Sequence, residues 1–184
     1  MTPEPREPMT PEPAAPPTSE RTLIAVRTPV ALTRVTRDDM RAFAAARDNA
    51  YEVDPDPRPL PITTPTDNAA VVDSGTGRLY GLVGWHAVSH GSTHACLAWN
   101  VGLAMLPTAR GQGVGVTALR LVVEHLFATT DFHRIEAATD VDNIAARRTA
   151  ESAGFHHEGT LRGAQLRDGR RRDLMTYSLL RSDL

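Results

Sequence analysis

Apolar and polar residues alternate with a period of two in several short runs, which is the pattern of half-buried β-strands. Strands are predicted for VALTRVT, NAAVVD and RLYGLVGWHAVSH, and the turn signal DSGTG separates the last two. The apolar runs THACLAWNVGLAML, which ends at Pro107, and RIEAATD predict two more. The last two predicted strands, GTLRGAQLR and RDLMTYSLL, flank an Asp168-Gly169 turn, a pair typical of a hairpin.

Three other segments have the period of an amphipathic helix. Thr36 and Asp39 resemble a capping box at the start of the first helix, and Asp142 is expected to cap a third helix that stops at Gly154. Met40, Phe43, Ala44 and Arg47 share one face of the first helix. In the second, the residues that recur at helical spacing are Gly115, Leu119, Val122, Val123 and Leu126. An antiparallel meander followed by strand–helix alternation indicates an α/β fold.

Two segments differ in composition from this folded part. MTPEPREPMTPEPAAPPTSE is rich in proline and acid and has few apolar side chains to bury, so we expect a disordered leader over residues 1–22. A docking tail is the alternative. One folded domain is then expected over residues 23–184. Residues 49–68, NAYEVDPDPRPLPITTPTDN, contain too much proline for a regular element and predict a functional loop.

Composition excludes several classes of protein. The formal net charge is -2, so no basic field favours nucleic acid, and RDGRRRDL is interpreted as a solvated hairpin turn. No apolar run reaches the roughly 20 residues of a membrane span. Cys96 is the single cysteine, which excludes an internal disulfide and fits a reducing, cytoplasmic compartment. We interpret it as a core thiol. A homodimer stays open.

Three glycines, Gly111, Gly113 and Gly115, lie in ARGQGVG between a predicted strand and a predicted helix. Unpaired N–H groups and the positive end of the helix dipole meet there, and a backbone without Cβ atoms admits a phosphate closely. The segment is not a Walker A loop, because no Gly-Lys-Ser/Thr follows, and Val116 breaks the Rossmann spacing. A flexible turn is the other interpretation of the glycines.

The segment AMLPTARGQGVGVTALRLVVEHLF resembles the acyl-CoA-binding core of the GCN5-related N-acetyltransferases (GNAT), with Arg110, Gly113 and Gly115 at the positions of the family signature. DVDNIAARRTAESAGF resembles the next helix of that family. GFHHEGTLRGAQLRDGRRRDLMTYSLL resembles the carboxyl-terminal hairpin of the Rim-type branch, which acetylates the amino-terminal amines of ribosomal proteins. The resemblance covers roughly residues 28–182.

This resemblance implies a GNAT fold, in which two parallel central strands of a mixed sheet, here LAML and RIEAATD, splay apart around acetyl-CoA. Flanking helices cover the sheet. The pantetheine arm would contact backbone groups of Leu103, Ala104 and Met105, and Asn143 would hydrogen-bond it. The residues implied at the pyrophosphate are Arg110, Gly111, Gln112, Gly113, Val114, Gly115 and Val116.

The chemistry of amide formation requires a base for the amine and an N–H donor for the developing oxyanion, for which Met105 is the candidate. The chain departs from many Rim-type relatives, because Asn100 replaces a glutamate and Ala146 replaces a serine. Glu158 matches a glutamate proposed as base in that branch, and partial burial would have to raise its pKa. A surface carboxylate is the alternative for Glu158.

Other polar side chains are expected near the acceptor. Asn100, His86 and Tyr177 are candidates for contacts with it, although Tyr177 can also simply pack. His86, His90 and His94 suit proton transfer near neutral pH, and without a closed ligand pattern we expect no metal.

The predicted function is acetyl-CoA-dependent acetylation of a primary amine, with a peptide or protein α-amine as first choice. Acetylation of a small amine, such as an antibiotic or a peptide natural product, is the alternative. A catalytically inactive acyl-CoA-binding regulator is the third.

Overall fold

A computed structural model describes residues 21–48, 50–57 and 66–184, and these form one mixed sheet flanked by three α-helices. The strands are β1 (Leu23–Arg27), β2 (Val30–Thr33), β3 (Thr66–Asp73), β4 (Leu79–Ser89), β5 (Leu97–Met105), β6 (Arg134–Asp140), β7 (His156–Arg167) and β8 (Arg170–Leu180). The helices are α1 (Arg37–Ala46), α2 (Val114–Thr129) and α3 (Ile144–Ala153). The strand order is β1-β2-β3-β4-β5-β6-β8-β7, which confirms the mixed sheet.

The sheet consists of two groups of strands that meet at β5 and β6. Strands β1 to β5 form an antiparallel meander, and α2 connects β5 to the parallel strand β6. The β5–β6 pairing consists of Trp99 with Ile135 and Asn100 with Glu136. Beyond Asn100 and Glu136 the two strands separate, and we call the opening between them the fork. Strands β5 and β6 are therefore the splayed pair that the family resemblance implies.

The helices cover the two faces of the sheet unequally. Helices α2 and α3 pack on one face over the main core, which contains Leu126, Ile135 and Tyr177. Helix α1 packs on the opposite face, where Phe43 and Leu82 lie against a smaller apolar cluster. We call these the α2 face and the α1 face. On the α1 face, the described residues Gly102, Ala104 and Ala138 around the fork are exposed.

Local sequence signals account for several element boundaries. The capping box is confirmed, since Thr36 accepts from the Asp39 amide and Asp39 accepts from the Thr36 amide. Gly154 ends α3 in the left-handed conformation, as predicted. Positive φ angles at Asp168 and Gly169 confirm the predicted hairpin turn, which requires two such residues.

Three sequence predictions were wrong in detail. Strand β1 was missed because its five residues lack a regular alternation of burial. His94–Cys96 forms a short 3-10 helix instead of the start of β5. Asn143, not Asp142, is the N-cap of α3, because the Asn143 Oδ1 atom accepts from the Ala146 amide at 3.1 Å.

The amino-terminal boundary of the domain includes Arg21. The Arg21 guanidinium is buried and donates two hydrogen bonds to Asp39, at 2.8 and 2.9 Å. The expected leader otherwise lies outside the described residues, as does much of the expected loop over residues 49–68. Strand β3 already begins at Thr66. Among the helices that the structure describes, none has the length and apolar character to cross a membrane.

Candidate active site

The main-chain groups of β5 alternate between its neighbour β4 and the fork. The amide of Leu106 donates to the Tyr80 carbonyl, and the amide of His90 donates to the Cys96 carbonyl. Because β4 and β5 pair without a register shift between these points, every even-numbered residue of β5 is bonded to β4. The amides of Leu103 and Met105 therefore face the fork. Ala104, expected to offer its backbone to the donor, has that backbone engaged with β4.

Strand β6 also has one edge that faces the fork, because its other edge is bonded to β8. The amide of Val141 donates to the Asp173 carbonyl, and the amide of Arg181 donates to the His133 carbonyl. In this register the odd-numbered residues of β6 bond to β8. The amide and carbonyl of Ala138 therefore point into the fork at the level of Gly102. Main-chain groups on both sides of this opening suit an extended, amide-containing ligand such as a pantetheine arm.

The glycine loop at the top of β5 forms a cradle open to a phosphate. Gly111 and Gly113 have φ angles of 74° and 75°, and apart from their chain neighbours no described residue has an atom within 4 Å of where a Cβ would be. Gly113 is the N-cap of α2, no side chain caps this helix, and its first turn has no acidic residue. Free amides at a helix N-terminus stabilise an anion. The cradle thus fits the pyrophosphate of coenzyme A.

The other residues expected at the pyrophosphate can contribute little but their amides. Val114 is buried, Val116 packs against the main core, and Gln112 donates to the Thr108 carbonyl at 2.8 Å. Gly115 already lies in the first turn of α2, where a Cβ would meet Leu103 Cδ2 at 3.5 Å. Recognition through backbone N–H groups explains why the loop needs glycine more than it needs particular side chains.

Arg110 is engaged with protein groups. Its guanidinium forms two hydrogen bonds with Asp48, at 2.5 and 2.9 Å, and donates to the Met105 carbonyl at 3.1 and 3.0 Å. These bonds from Arg110 lower the pKa of Asp48 to about 2. Arg110 therefore ties the end of β5 to the segment that follows α1. Sequence reasoning missed this pairing because nothing local brings residues 48 and 110 together.

Asn143 lies at the N-terminus of α3, beyond the carboxyl end of β6. Its Oδ1 atom serves as the helix cap, so its Nδ2 group is the part that suits a carbonyl of the donor. No hydroxyl is present at Ala146 to contribute a proton, as the sequence already indicated.

Small residues form a trough across the fork on the α1 face. Gly84 pairs with Gly102, and the β5–β6 register places Ala138 at the level of Gly102 on the other side. A Cβ on Gly102 would meet no atom of the described residues within 4 Å. An amine can therefore approach the fork from this face, opposite the side where α2 begins.

A row of polar side chains follows one step below the trough. His86 pairs with Asn100 across β4 and β5, Asn100 pairs with Glu136, and Glu136 pairs with Ser178 of β8. Paired residues project on the same face of a sheet. His86 is exposed, whereas the side chain of Glu136 is only 16% exposed. The structure thus brings two of the expected acceptor residues, His86 and Asn100, together.

Glu158 joins this row through Arg134. Arg134 donates to both carboxylate oxygens of Glu158, and Ser178 donates to Glu158 Oε1 at 2.7 Å. Arg134 Nε also donates to Glu136 Oε1 at 2.6 Å, and His90 Nε2 lies 2.5 Å from the same oxygen. We call Arg134, Glu136, Glu158, His90 and Ser178 the Arg134 cluster. The two carboxylates share one guanidinium.

The charge state of Glu158 differs from the expected one. Hydrogen bonds from Arg134 outweigh partial desolvation and lower the pKa of Glu158 to about 2. The expectation that burial raises this pKa is therefore wrong. A carboxylate that must leave an ion pair before accepting a proton is a weak base at neutral pH.

Two further candidates are placed away from the fork. Tyr177 is 1% exposed in the main core, and its hydroxyl donates to Glu151 Oε1 at 3.3 Å, so its geometry favours the packing alternative. His94 is exposed, near Asp131. The residues described contain no group of three or more side chains that could hold a metal ion. Cys96 is only partly buried, which qualifies its interpretation as a core thiol.

A comparison with protein families identifies residues 30–156 as an acetyltransferase (GNAT) domain. The chain belongs to the GNAT acetyltransferase family. The match covers more than half of the chain and includes the cradle, the fork and Asn143.

Known proteins agree with this assignment. "Probable N-acetyltransferase YjcK" of Bacillus subtilis is 34% identical over 85 residues, which are 46% of this chain and 45% of that protein. The chain spans about half the length of the curated relatives that it matches.

The fold is shared with solved GNAT structures. Mycobacterium smegmatis RimJ in complex with CoA-disulfide superposes with a TM-score of 0.69 at 20% identity, covering 89% of this chain and 86% of that one. Spermidine N-acetyltransferase from Vibrio cholerae, in complex with CoA and spermine, has a TM-score of 0.67 at 20% identity, covering 85% and 98%. The GNAT fold predicted from the sequence is thereby confirmed.

Proposed function

We propose that this GNAT protein transfers the acetyl group of acetyl-CoA to the N-terminal α-amine of a peptide or protein. Backbone amides of residues 111–116 would hold the pyrophosphate. The fork edges at Leu103, Met105 and Ala138 would hold the pantetheine arm, assisted by Asn143. The amide of Met105 points into the fork, where it can donate to the carbonyl oxygen of the acetyl group.

The charge balance on the α1 face is the observation that carries the choice of acceptor. In the Arg134 cluster, Glu136 and Glu158 share a single guanidinium, so the cluster has one excess negative charge when His90 is neutral. One excess negative charge matches one ammonium group.

Among the described residues, three other carboxylates near the carboxyl ends of β5 and β6 each have an arginine partner. These pairs are Asp48 with Arg110, Asp140 with Arg167, and Asp142 with Arg172. A polycation would require several carboxylates without such partners. The described part of the α1 face therefore favours an acceptor with a single positive charge, which an N-terminal α-amine provides.

A small polyamine is the competing acceptor, because one of the similar folds is that of a spermidine N-acetyltransferase. That similarity is at 20% identity and concerns the fold alone. A regulator that binds acyl-CoA without catalysis is the third hypothesis, and it requires that no amine is acetylated.

Mass spectrometry of acetyl-CoA reactions tests these three hypotheses together. The acceptors are a set of peptides with free N-termini, the same peptides with blocked N-termini and one internal lysine, and spermidine. We expect acetylation of the free α-amines only. Acetylation of spermidine alone would support the polyamine function, and absence of any product despite calorimetric binding of acetyl-CoA would support the regulator.

A further inference from the structure

We propose that Glu136, and not Glu158, accepts the proton of the acceptor amine, and that His90 positions the Glu136 carboxylate. This inference rests on the acetyl transfer proposed above, but not on which amine is the acceptor. It follows from the position of Glu136 in the sheet, from the occupancy of its oxygens and from the residues that hold it.

Glu136 lies at the base of the fork. It pairs with Asn100 in the last step of the β5–β6 ladder before the strands separate. Asn100 stands on β5 where a basic side chain would be well placed, but an amide has no useful basicity. Glu136 brings a carboxylate to the same level from the neighbouring strand, and its side chain projects on the α1 face as Asn100 does.

The two carboxylates of the Arg134 cluster differ in what their oxygens contact. Both oxygens of Glu158 accept from Arg134, and one accepts from Ser178 as well. On Glu136, Oε1 contacts Arg134 Nε and His90 Nε2, whereas Oε2 has no hydrogen-bond partner among the described residues. Oε2 of Glu136 is therefore the carboxylate oxygen of the cluster that is left for a proton from the acceptor or from a bridging water.

His90 fixes the orientation of this carboxylate from across the sheet. It lies just beyond β4, and its ring reaches Glu136 over β5, where Ala98 leaves room. The His90 side chain is 54% exposed. The charged and titratable groups around Glu136 are Arg134 on its own strand, His90 and His86 from the β4 side, and Glu158 from β7.

The proposed step conserves protons and electron pairs. The acceptor ammonium gives one proton to Glu136 Oε2, which passes it to solvent, and the nitrogen lone pair then forms the C–N bond to the acetyl carbonyl carbon. The C–S bond breaks with its electron pair on sulfur. The second amine proton ends on that sulfur, so the products are an amide, a thiol and one released proton.

Replacing each carboxylate by its amide separates the two candidates. Glu136→Gln and Glu158→Gln each take one negative partner from Arg134, so they are matched in the charge that the cluster loses. The acceptor is whichever amine of the mass-spectrometry set the unaltered protein acetylates. We expect Glu136→Gln to lower kcat by roughly 100-fold or more at pH 7, with unchanged acetyl-CoA affinity by calorimetry. The loss from Glu158→Gln should be at least tenfold smaller.

The pH dependence provides a readout that a structural role would not change. Above the pKa of the acceptor amine, which is about 8 for an α-amine and about 10 for a side-chain amine, the acceptor deprotonates without a base. The kcat of Glu136→Gln should then recover toward that of the unaltered protein. A loss of equal size at every pH, or a larger loss from Glu158→Gln, would overturn the proposal.

The exposed position of His90 allows a second test that does not depend on the stability of a Glu136 variant. His90→Gln keeps an N–H donor within reach of Glu136, and His90→Leu removes it. We expect His90→Leu to lower kcat about tenfold or more, with the KM for acetyl-CoA unchanged, and His90→Gln to retain most of the rate. Equal rates for these two variants would refute the positioning role of His90.

Discussion

Gly113 shows how a single backbone angle prepares the donor site. Its φ of 75° places the residue in the left-handed region, and its amide lies where α2 begins. A side chain here would be strained, by about 1–2 kcal/mol for a β-carbon in this region, and would occupy the space above the cradle. The same is true of Gly111, whereas Gly115 has an ordinary helical environment.

These differences give a prediction for two glycine variants. We expect Gly113→Val to fold but to lose stabilisation by acetyl-CoA, which for the unaltered protein should be about 2.7 kcal/mol at 100 Kd. Gly115→Ala is the control, because its Cβ would make only ordinary contacts with Leu103 and Thr149. Thermal unfolding with and without acetyl-CoA measures both. A folded Gly113→Val variant with undiminished calorimetric affinity would rule out the cradle.

The roles of single residues were only partly predictable from the sequence. The glycine positions could be predicted because the three spaced glycines of ARGQGVG by themselves indicate a backbone that an anion can approach closely. The ion pairs of Arg110 and Glu158 could not, since both depend on strand order and on partners 62 and 24 residues away in the chain. Glu136 was overlooked within RIEAATD. The amide at Asn100 was the available signal for our proposal that a neighbouring strand supplies the carboxylate.

Among the elements, the forked pair β5–β6 and the trough over it give the acceptor its proposed route to the donor. Gly102 lies in this trough on the exposed α1 face, with open space where its Cβ would be. A β-branched residue there also suits a strand better than glycine does, by up to about 1 kcal/mol. A larger side chain at Gly102 should therefore weaken binding of the acceptor without weakening the fold.

We predict that Gly102→Val raises the KM for the acceptor about tenfold or more, because two methyl groups obstruct the approach to the fork. The melting temperature should stay the same or rise, and acetyl-CoA affinity should be unchanged. Gly102→Ala should have an intermediate effect. Steady-state kinetics over both substrates measure these changes, and an unchanged acceptor KM in the valine variant would show that the amine approaches elsewhere.

The sequence predicted elements best where their own residues carry the signal. Strands β3, β4 and β6 and all three helices were anticipated, because each has a clear period and a cap or turn at one end. Strand β1 and the 3-10 helix at His94–Cys96 were not. Strand β1 is an edge strand whose pairing with β2 decides its conformation, and periodicity in its own five residues does not reveal that pairing.

At the scale of the whole molecule, the Arg21–Asp39 pair connects the start of the described chain to α1. Both side chains are 3% exposed, and Asp39 also completes the capping box. Removal of one partner from a buried pair typically costs about 3–5 kcal/mol, because the other charge remains buried. The functional boundary of the domain should therefore lie before Arg21.

Two truncations test this boundary. Deletion of residues 1–20 should leave the melting temperature and acetyl-CoA affinity unchanged, since that segment has few apolar groups to bury. Deletion of residues 1–22 should lower stability by about 3–5 kcal/mol. Arg21→Ala in the full chain is the control for the side chain alone. Chemical denaturation measures all three, and a marked loss on deleting residues 1–20 would show that the leader packs on the domain.

The fork presents main-chain amides to its ligand, and this has a consequence for inheritance. A substitution at Leu103 or Met105 changes a side chain on the α2 face but leaves the N–H that points into the opening. In the proposed site, the backbone recognises the donor, so most substitutions leave donor recognition unchanged. Side chains such as His86, Asn100 and Glu136 contact the acceptor, so substitutions there change acceptor recognition. We therefore expect that a few codon changes can alter the acceptor of this protein during evolution while donor binding is retained.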